Sequence, residues 1–272
     1  ASGTTYASSD LSVVSFGSKD GLLFAGQNGR AALTVRNAGL ERTVDIEVNA
    51  FDPRLVTSIN IPGYANNVDV AGDFAYVAAG SQGLQILDVS HHEQPAIIAS
   101  LDTPGTAIDV RVVGNLLYLA DGEQGLRIID VSNPRAPNTL AVYDTAGIAQ
   151  DIKVDRQFVY IADGIAGLEI VDVHRPQQPL FMATVTGLGE VKGVDVKDDQ
   201  LVVVAGSALY AIDVSDRHNP IQQGRLNIGP VKDVAFDGRY AHVAAHTSGW
   251  KTVDVADPLQ LRVTAGAVDF VP

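Results

Sequence analysis

From about residue 53 onward the chain is a succession of short apolar runs, each closed by a glycine, asparagine or proline turn signal. In residues 107–144 these runs fall near 107–113, 116–120, 125–131 and 138–144. The intervening signals are "GN" at 114–115, "DGEQG" at 121–125 and "NPRAP" at 133–137. Valine, isoleucine, leucine and tyrosine dominate the runs. They are too short and too broken by glycine for helices, and the pattern predicts β-strands. Many runs are apolar on both faces, which predicts sheets covered on both sides.

The pattern repeats. Asp88, Asp130, Asp172, Asp213 and Asp254 fall in register at gaps of 42, 42, 41 and 41 residues, each followed by valine. Leucine or Trp250 lies four residues before each one, and Pro95, Pro137, Pro179 and Pro220 lie seven after the first four. Upstream stands a second set, Asp69, Asp109, Asp151, Asp195 and Asp233. Between the two lies a strand-like run with a recurrent alanine: Ala78, Ala120, Ala162, Ala205 and Ala244. Four-stranded antiparallel units of this period predict an all-β β-propeller with five complete blades over residues 51–272, and a possible composite sixth. A solenoid is the architectural alternative.

Residues 118–137, "YLADGEQGLRIIDVSNPRAP", resemble the LVIVD repeat. The resemblance covers roughly residues 53–271. It implies a propeller and a surface or secreted location in bacteria or archaea, and it brings no common enzymatic activity.

An aspartate present in every blade reads as architectural, because an active site needs asymmetry. Asp88 and its equivalents are expected to accept hydrogen bonds from turn amides or from Ser90, Ser132 and Ser215. The Asp69 set, pointed into a central channel, would attract a cation. The preferred reading is that each bonds to backbone in the next blade.

The ends are less regular. Residues 54–61 read as the outer strand of a blade, 260–265 as the outer strand of the fifth, and 265–271 as the start of a sixth inner strand. Residues 1–50 form a separate segment with strands near 11–16, 21–25, 30–36 and 42–48. "GLLFAGQNGRAALTV" resembles the second half of a bacterial immunoglobulin-like domain of group two. Such a sandwich takes about seven strands, so four would leave open edges. The segment either packs on the propeller, belongs to a larger domain, or pairs with strands of another copy. A degenerate sixth blade is disfavoured by the broken period.

Composition then narrows function. A net charge of −13 disfavours nucleic acid. No apolar run is long enough for a membrane helix. There is no cysteine, hence no disulfide or thiolate chemistry. The start, "ASGTTYASSD", reads as the mature end left by signal cleavage. His91, His92, His174 and His218 lie in equivalent loops of different blades, too far apart for one metal. His246 lies in a further loop. His242, in the slot of Tyr76, Tyr118 and Tyr160, and Trp250, in a leucine slot, read as packed core. "DGEQG" and "DGIAG" lack the carboxylates of a calcium loop and read as turns.

One face of the ring carries mixed charge, including Asp73, Arg135, Arg217 and Arg239. The other carries Tyr64, Asn66, Asn67, Gln82, Glu123, Gln124, Gln150, Glu190 and Lys192. The expectation is a non-catalytic, secreted or cell-surface prokaryotic scaffold without a cofactor, metal or catalytic residue. Its partners would be proteins, including copies of itself joined through the N-terminal strands into a polymer or filament. A glycan- or small-ligand-binding lectin-like propeller is one alternative, and a propeller lyase or hydrolase another.

Overall fold

The computed structural model describes residues 5–10, 14–16, 23–25, 29–37, 40–48, 55–245 and 249–267. The chain divides into two compact units, Ala1–Val56 and Thr57–Pro272.

The first unit holds β1 (Thr5–Ser8), β2 (Val14–Phe16), β3 (Leu23–Ala25), β4 (Gly29–Asn37) and β5 (Leu40–Val48). They form a three-stranded sheet, ordered β1-β4-β5, and a two-stranded sheet, β2-β3. Residues 5–8 therefore do not behave as a loose polar end. They pair antiparallel with β4, Thr5 to Arg36 through Ser8 to Leu33, because that strand offers a free ladder. Ala31 packs with Ile46 and Val48, while Leu40 and Val44 on β5 remain exposed. Among the described residues these sheets do not make a seven-stranded sandwich.

The second unit is a β-propeller of five four-stranded antiparallel blades, each a simple meander. The first blade is β6 (Asn67–Ala71), β7 (Phe74–Ala78), β8 (Leu84–Asp88) and β9 (Ala96–Leu101). The second is β10 (Asp109–Val113), β11 (Leu116–Ala120), β12 (Leu126–Asp130) and β13 (Asn138–Tyr143). The third is β14 (Asp151–Asp155), β15 (Phe158–Ala162), β16 (Leu168–Asp172) and β17 (Leu180–Val185). The fourth is β18 (Val191–Lys197), β19 (Gln200–Ala205), β20 (Ala208–Asp213) and β21 (Ile221–Asn227). The fifth is β22 (Asp233–Phe236), β23 (Tyr240–Ala244), β24 (Trp250–Asp254) and β25 (Arg262–Ala267).

Apolar residues on both faces do what the pattern requires. Tyr76, Ala78, Leu84 and Ile86 of the first blade meet Val110, Leu117, Leu119 and Ile129 of the second. Tyr118, Leu126 and Ile128 meet Ile152, Val159, Ile161 and Val171 of the third. The same contact recurs at the two later junctions. Every blade shifts register once between its third and fourth strands, at Ile86/Leu87 and its four equivalents. A bulge at one fixed point adds the same local twist to each blade.

Pairing corrects one alignment. Phe74, Leu116, Phe158, Gln200 and Tyr240 stand opposite the five strand-end aspartates. Counted from there, Val204 rather than Ala205 takes the place of Ala78, Ala120, Ala162 and Ala244. The cause is the β19–β20 hairpin, which turns over Gly206 and Ser207 alone, with Ala205 facing Ala208. The other blades use longer loops there.

The predicted outer strand at 54–61 is not formed. Residues 55–61 have no strand conformation, since no neighbouring strand among the described residues pairs with them. Ala265–Ala267 belong to β25, opposite Thr252 to Trp250, and not to a sixth inner strand. Arg54 and residues 268–271 lie outside the described residues.

Gly125 ends the "DGEQG" loop at φ 70°, and a Cβ there would sit 2.4 Å from the Tyr143 carbonyl oxygen. The outermost strand approaches too closely for any side chain. Gly125→Ala should lower unfolding free energy by about 3 kcal/mol, from left-handed strain and the clash together. Chemical denaturation checks this, with Gly114→Ala as the comparison, because a Cβ at Gly114 meets nothing within 4 Å.

Candidate functional site

The five innermost strands line the centre, and pairing sorts their side chains into two levels. Asn67, Asp109, Asp151 and Asp233 stand opposite the recurrent alanines, and Gly193 takes the same level in the fourth blade, opposite Val204. Two residues further on, Asp69, Arg111, Lys153, Asp195 and Ala235 stand opposite Tyr76, Tyr118, Tyr160, Val202 and His242. The five aspartates therefore do not form one ring. They divide between the levels, and two basic residues complete the second.

Four of the carboxylates reach the next blade. Asp69 Oδ2 accepts the Val112 N–H at 2.7 Å, and Asp109 Oδ2 that of Ile152 at 3.0 Å. Asp151 Oδ2 accepts the Val194 N–H at 2.8 Å, and Asp195 Oδ2 that of Phe236 at 2.7 Å. In each case the donor lies one residue past the position equivalent to the acceptor's own. Asp233 Oδ1 accepts its neighbour Val234 N–H at 2.7 Å.

Cations balance the buried charge. Arg111 lies 2.9 Å from Asp109 and 3.6 Å from Asp151, and Lys153 lies 2.8 Å from Asp195. The Asn67 amide also donates to Asp109. Sequence reasoning missed Arg111 and Lys153. The available signal was a basic residue two positions after aspartate in two consecutive repeats.

Asp109 and Asp151 are both held above the ordinary carboxylate range, chiefly by burial. For Asp109 the nearby Arg111 partly offsets it. For Asp151 the shift is larger, because the Asp109 charge repels a second charge and Asp151 donates a hydrogen bond to it. Such a pair could pass a proton, but its oxygens already hold main-chain amides, Asn67 and Arg111.

The strand-end aspartates close the third strand of each blade, two strands away from the innermost one. Their Oδ1 atoms accept the N–H two residues on: Asp88 from Ser90 at 3.1 Å, Asp130 from Ser132 at 2.8 Å, Asp172 from His174 at 2.8 Å, Asp213 from Ser215 at 2.8 Å and Asp254 from Ala256 at 3.1 Å. Asp88 is held below the usual range first by the Ser90 hydroxyl, which donates to it at 2.6 Å, and then by the Ser90 N–H; Asp130, Asp213 and Asp254 are held below it chiefly by these N–H bonds. The "DG" aspartates are more than turn formers. Asp121 and Asp163 are buried and accept the hydroxyls of Thr103 and Thr145, each at 2.7 Å.

The amide-bearing mouth of the channel is a shallow cleft of about 360 Å³, lined by Ile108, Ile148, Gln150, Glu190, Lys192, Val231 and Lys232. It adjoins a smaller one of about 200 Å³ against Asn66, Asn67, Asp109, Asp151 and Asp233. Tyr64 and Gln82 line neither. His91 and His92 share one turn, His174 and His218 lie in two others, and no group of three or more metal-ligating side chains is placed for an ion among the described residues. His246 lies outside them. His242 and Trp250 are corrections: both are exposed, Trp250 by 48%, because no sheet among the described residues covers that face of the fifth blade.

Comparison with known proteins places the chain beside others of this build. The LVIVD repeat matches residues 62–103, 104–145, 146–186 and 228–263. The fourth blade falls between these matches, and it is the one with the shortened hairpin. No curated protein sequence matches. Among solved structures, the β-propeller domain of Myceliophteria thermophila Cps50 (Swd1) is similar at TM-score 0.64 and 15% identity, covering 79% of this chain and 76% of that one. The computationally designed Ika8 protein is similar at TM-score 0.60 and 10% identity, over 89% and 73%. PorZ, a bacterial surface component of the type-IX secretion system of Porphyromonas gingivalis, is similar at TM-score 0.54 and 18% identity, over 88% of this chain and 31% of that one. At these identities the likeness is one of fold.

If burial of the Asp109–Asp151 pair costs stability, the folded state binds more protons than the unfolded one. Stability from this pair then falls as pH rises from about 4, the unfolded carboxylate value, through the raised folded value. Asp151→Asn keeps an acceptor for Val194 and a donor for Asp109 without the charge. The variant should melt above the parent at pH 8 and converge with it near pH 4. Thermal melts across that range check this, and parallel curves would contradict it.

Proposed function

We propose that this chain, which belongs to the LVIVD repeat family, is a non-catalytic prokaryotic scaffold of the cell surface or extracellular space. It joins copies of itself through its N-terminal strands into a polymer or filament. The observation that carries this reading is β5. It is a nine-residue strand that, among the described residues, pairs with β4 on one side only and ends the β1-β4-β5 sheet. It is a long open edge that carries exposed Leu40 and Val44 between charged residues, and an open edge of this length can take on another strand.

Two further facts favour a scaffold over an enzyme. The inner carboxylates of the first four blades each hold a main-chain amide of the next blade. The strand-end set is engaged in turns. The location rests on the setting that the family resemblance implies. Proteins, including further copies, are the proposed partners. Nucleic acid is disfavoured by the charge, and no helix of the described residues is long and apolar enough to cross a membrane.

A second reading draws on the channel mouth. Gln150, Glu190, Lys192 and Lys232 around the larger cleft offer donors and acceptors to a glycan hydroxyl. A glycan array with the parent and Lys192→Ala/Gln150→Ala decides it. Binding that the double substitution abolishes would establish a lectin-like role beside the scaffold.

Sedimentation velocity over rising concentration tests the main proposal. The parent should form assemblies larger than a monomer. Leu40→Lys/Val44→Lys should shift them to monomers, with the far-ultraviolet spectrum unchanged. A parent that stays monomeric throughout would refute edge-strand assembly.

A further inference from the structure

The propeller has two unfinished surfaces, and each is described by the completed junctions beside it. On the fifth blade, His242, Ala244 and Trp250 occupy the slots of Tyr76, Ala78 and Leu84. Those three residues are covered by the next blade to 4% exposure or less, as are Tyr118, Ala120 and Leu126. On the fifth blade the same slots face outward.

Asp233 repeats the point in hydrogen bonds. Asp69 holds its own Val70 N–H on Oδ1, at 2.9 Å, and the next blade's Val112 N–H on Oδ2. Asp195 does the same with Val196 at 2.8 Å and Phe236 at 2.7 Å. Asp233 holds Val234 on Oδ1. Its Oδ2 has no partner among the described residues, so the half of the motif that reaches a further blade is ready and unused.

The second surface precedes the first blade. Asn66 N–H donates to the Ala78 carbonyl at 2.8 Å, as Ile108 does to Ala120 and Gln150 to Ala162. Gly63 approaches the Ala79 carbonyl as Gly105 approaches Asp121 and Gly147 approaches Asp163. Ile61 packs on Ala75, Val77 and Leu87. Ile61 and Ala79 hold the sequence positions at which Thr103–Asp121 and Thr145–Asp163 stand as hydrogen-bonded pairs. By this register Thr57–Ile61 follows the path of residues 99–103 and 141–145, the ends of outermost strands β9 and β13. It has no strand conformation, but it takes the place of an outermost strand whose three inner strands are not supplied among the described residues.

We propose that the place between the fifth blade and Thr57–Ile61 is a socket for the three inner strands of one further LVIVD-type repeat. The innermost of them gives a main-chain N–H to Asp233 Oδ2, its back face covers Trp250, Ala244 and His242, and its third strand pairs with Thr57–Ile61. On the back of the first blade Ile61 covers only Ala75, Val77 and Leu87; Val68 and Val70 there remain exposed, and the same added repeat would cover them from the other side. This inference names a partner for the scaffold proposed above and uses a different surface from β5.

The test extends the full chain after Pro272 with a duplicate of its own residues 105–132, which carry β10, β11 and β12. Trp250 is the sole tryptophan and reports the face directly. The extended chain should show blue-shifted emission and about tenfold slower amide exchange at Thr57–Ile61. Asp233→Ala in the extended chain should weaken both changes, and an extension of scrambled sequence should produce neither. The same residues added as a free polypeptide form the second arm. Unchanged emission and exchange in both arms would overturn the socket. Blue-shifted emission in the unextended parent on concentration would overturn the assigned occupant in favour of a second copy. Leu40→Lys/Val44→Lys leaves the Trp250 signal untouched, so failure of edge-strand assembly and failure of the socket are read separately.

Discussion

A carboxylate on the innermost strand of one sheet accepts a main-chain N–H from the innermost strand of the next. That bond recurs at all four junctions, from Asp69 to Val112, Asp109 to Ile152, Asp151 to Val194 and Asp195 to Phe236. Apolar packing brings the sheets together, but such packing is not directional. The carboxylate–amide bond is directional, and it fixes how far one sheet slides along its neighbour. Arg111 and Lys153 make the buried charges tolerable, since an uncompensated carboxylate so deep would be strongly destabilising. The centre of the molecule is therefore a structural device first. Its residual chemistry, the raised Asp109–Asp151 pair, is a by-product of crowding two such devices together.

The features legible in the sequence were the local ones. A carboxylate that accepts an amide two residues on, as Asp130 does from Ser132, leaves a fixed phrase in the chain, and so do the turn glycines. The period of the sheets followed from those phrases. The level of each inner aspartate did not. A shift of two residues along a strand keeps the side chain on the same face, so Asp69 and Asp109 look equivalent although they pair opposite Tyr76 and Ala120 respectively. The shortened hairpin at Gly206 displaced the recurrent alanine for a similar reason. His242 and Trp250 were misread because burial of a blade face is decided by the next sheet, which the blade's own sequence does not contain. Strand β1 was missed because four residues with weak local pattern become a strand only when β4 lies beside them.

Symmetry and its loss divide the molecule by role. Where the repeats agree, the residues hold architecture. Where they differ, surfaces are offered: the channel mouth with Gln150, Lys192 and Lys232, the open edge of β5, and the uncovered face of the fifth blade. The fourth blade departs from the repeat in sequence yet keeps the fold, because Val202, Val204 and Leu209 still supply the apolar face to the fifth. The proposed interaction surfaces thus lie where repetition stops.

The central account is tested most directly at one junction. Amide exchange should be measured by NMR in the parent and in Asp195→Ala. The account predicts that protection of the Phe236 N–H collapses and that the junction between fourth and fifth blades loosens, while the Val112 and Ile152 amides keep their parent rates. Unchanged protection at Phe236, or a uniform loss over all four junctions, would contradict it.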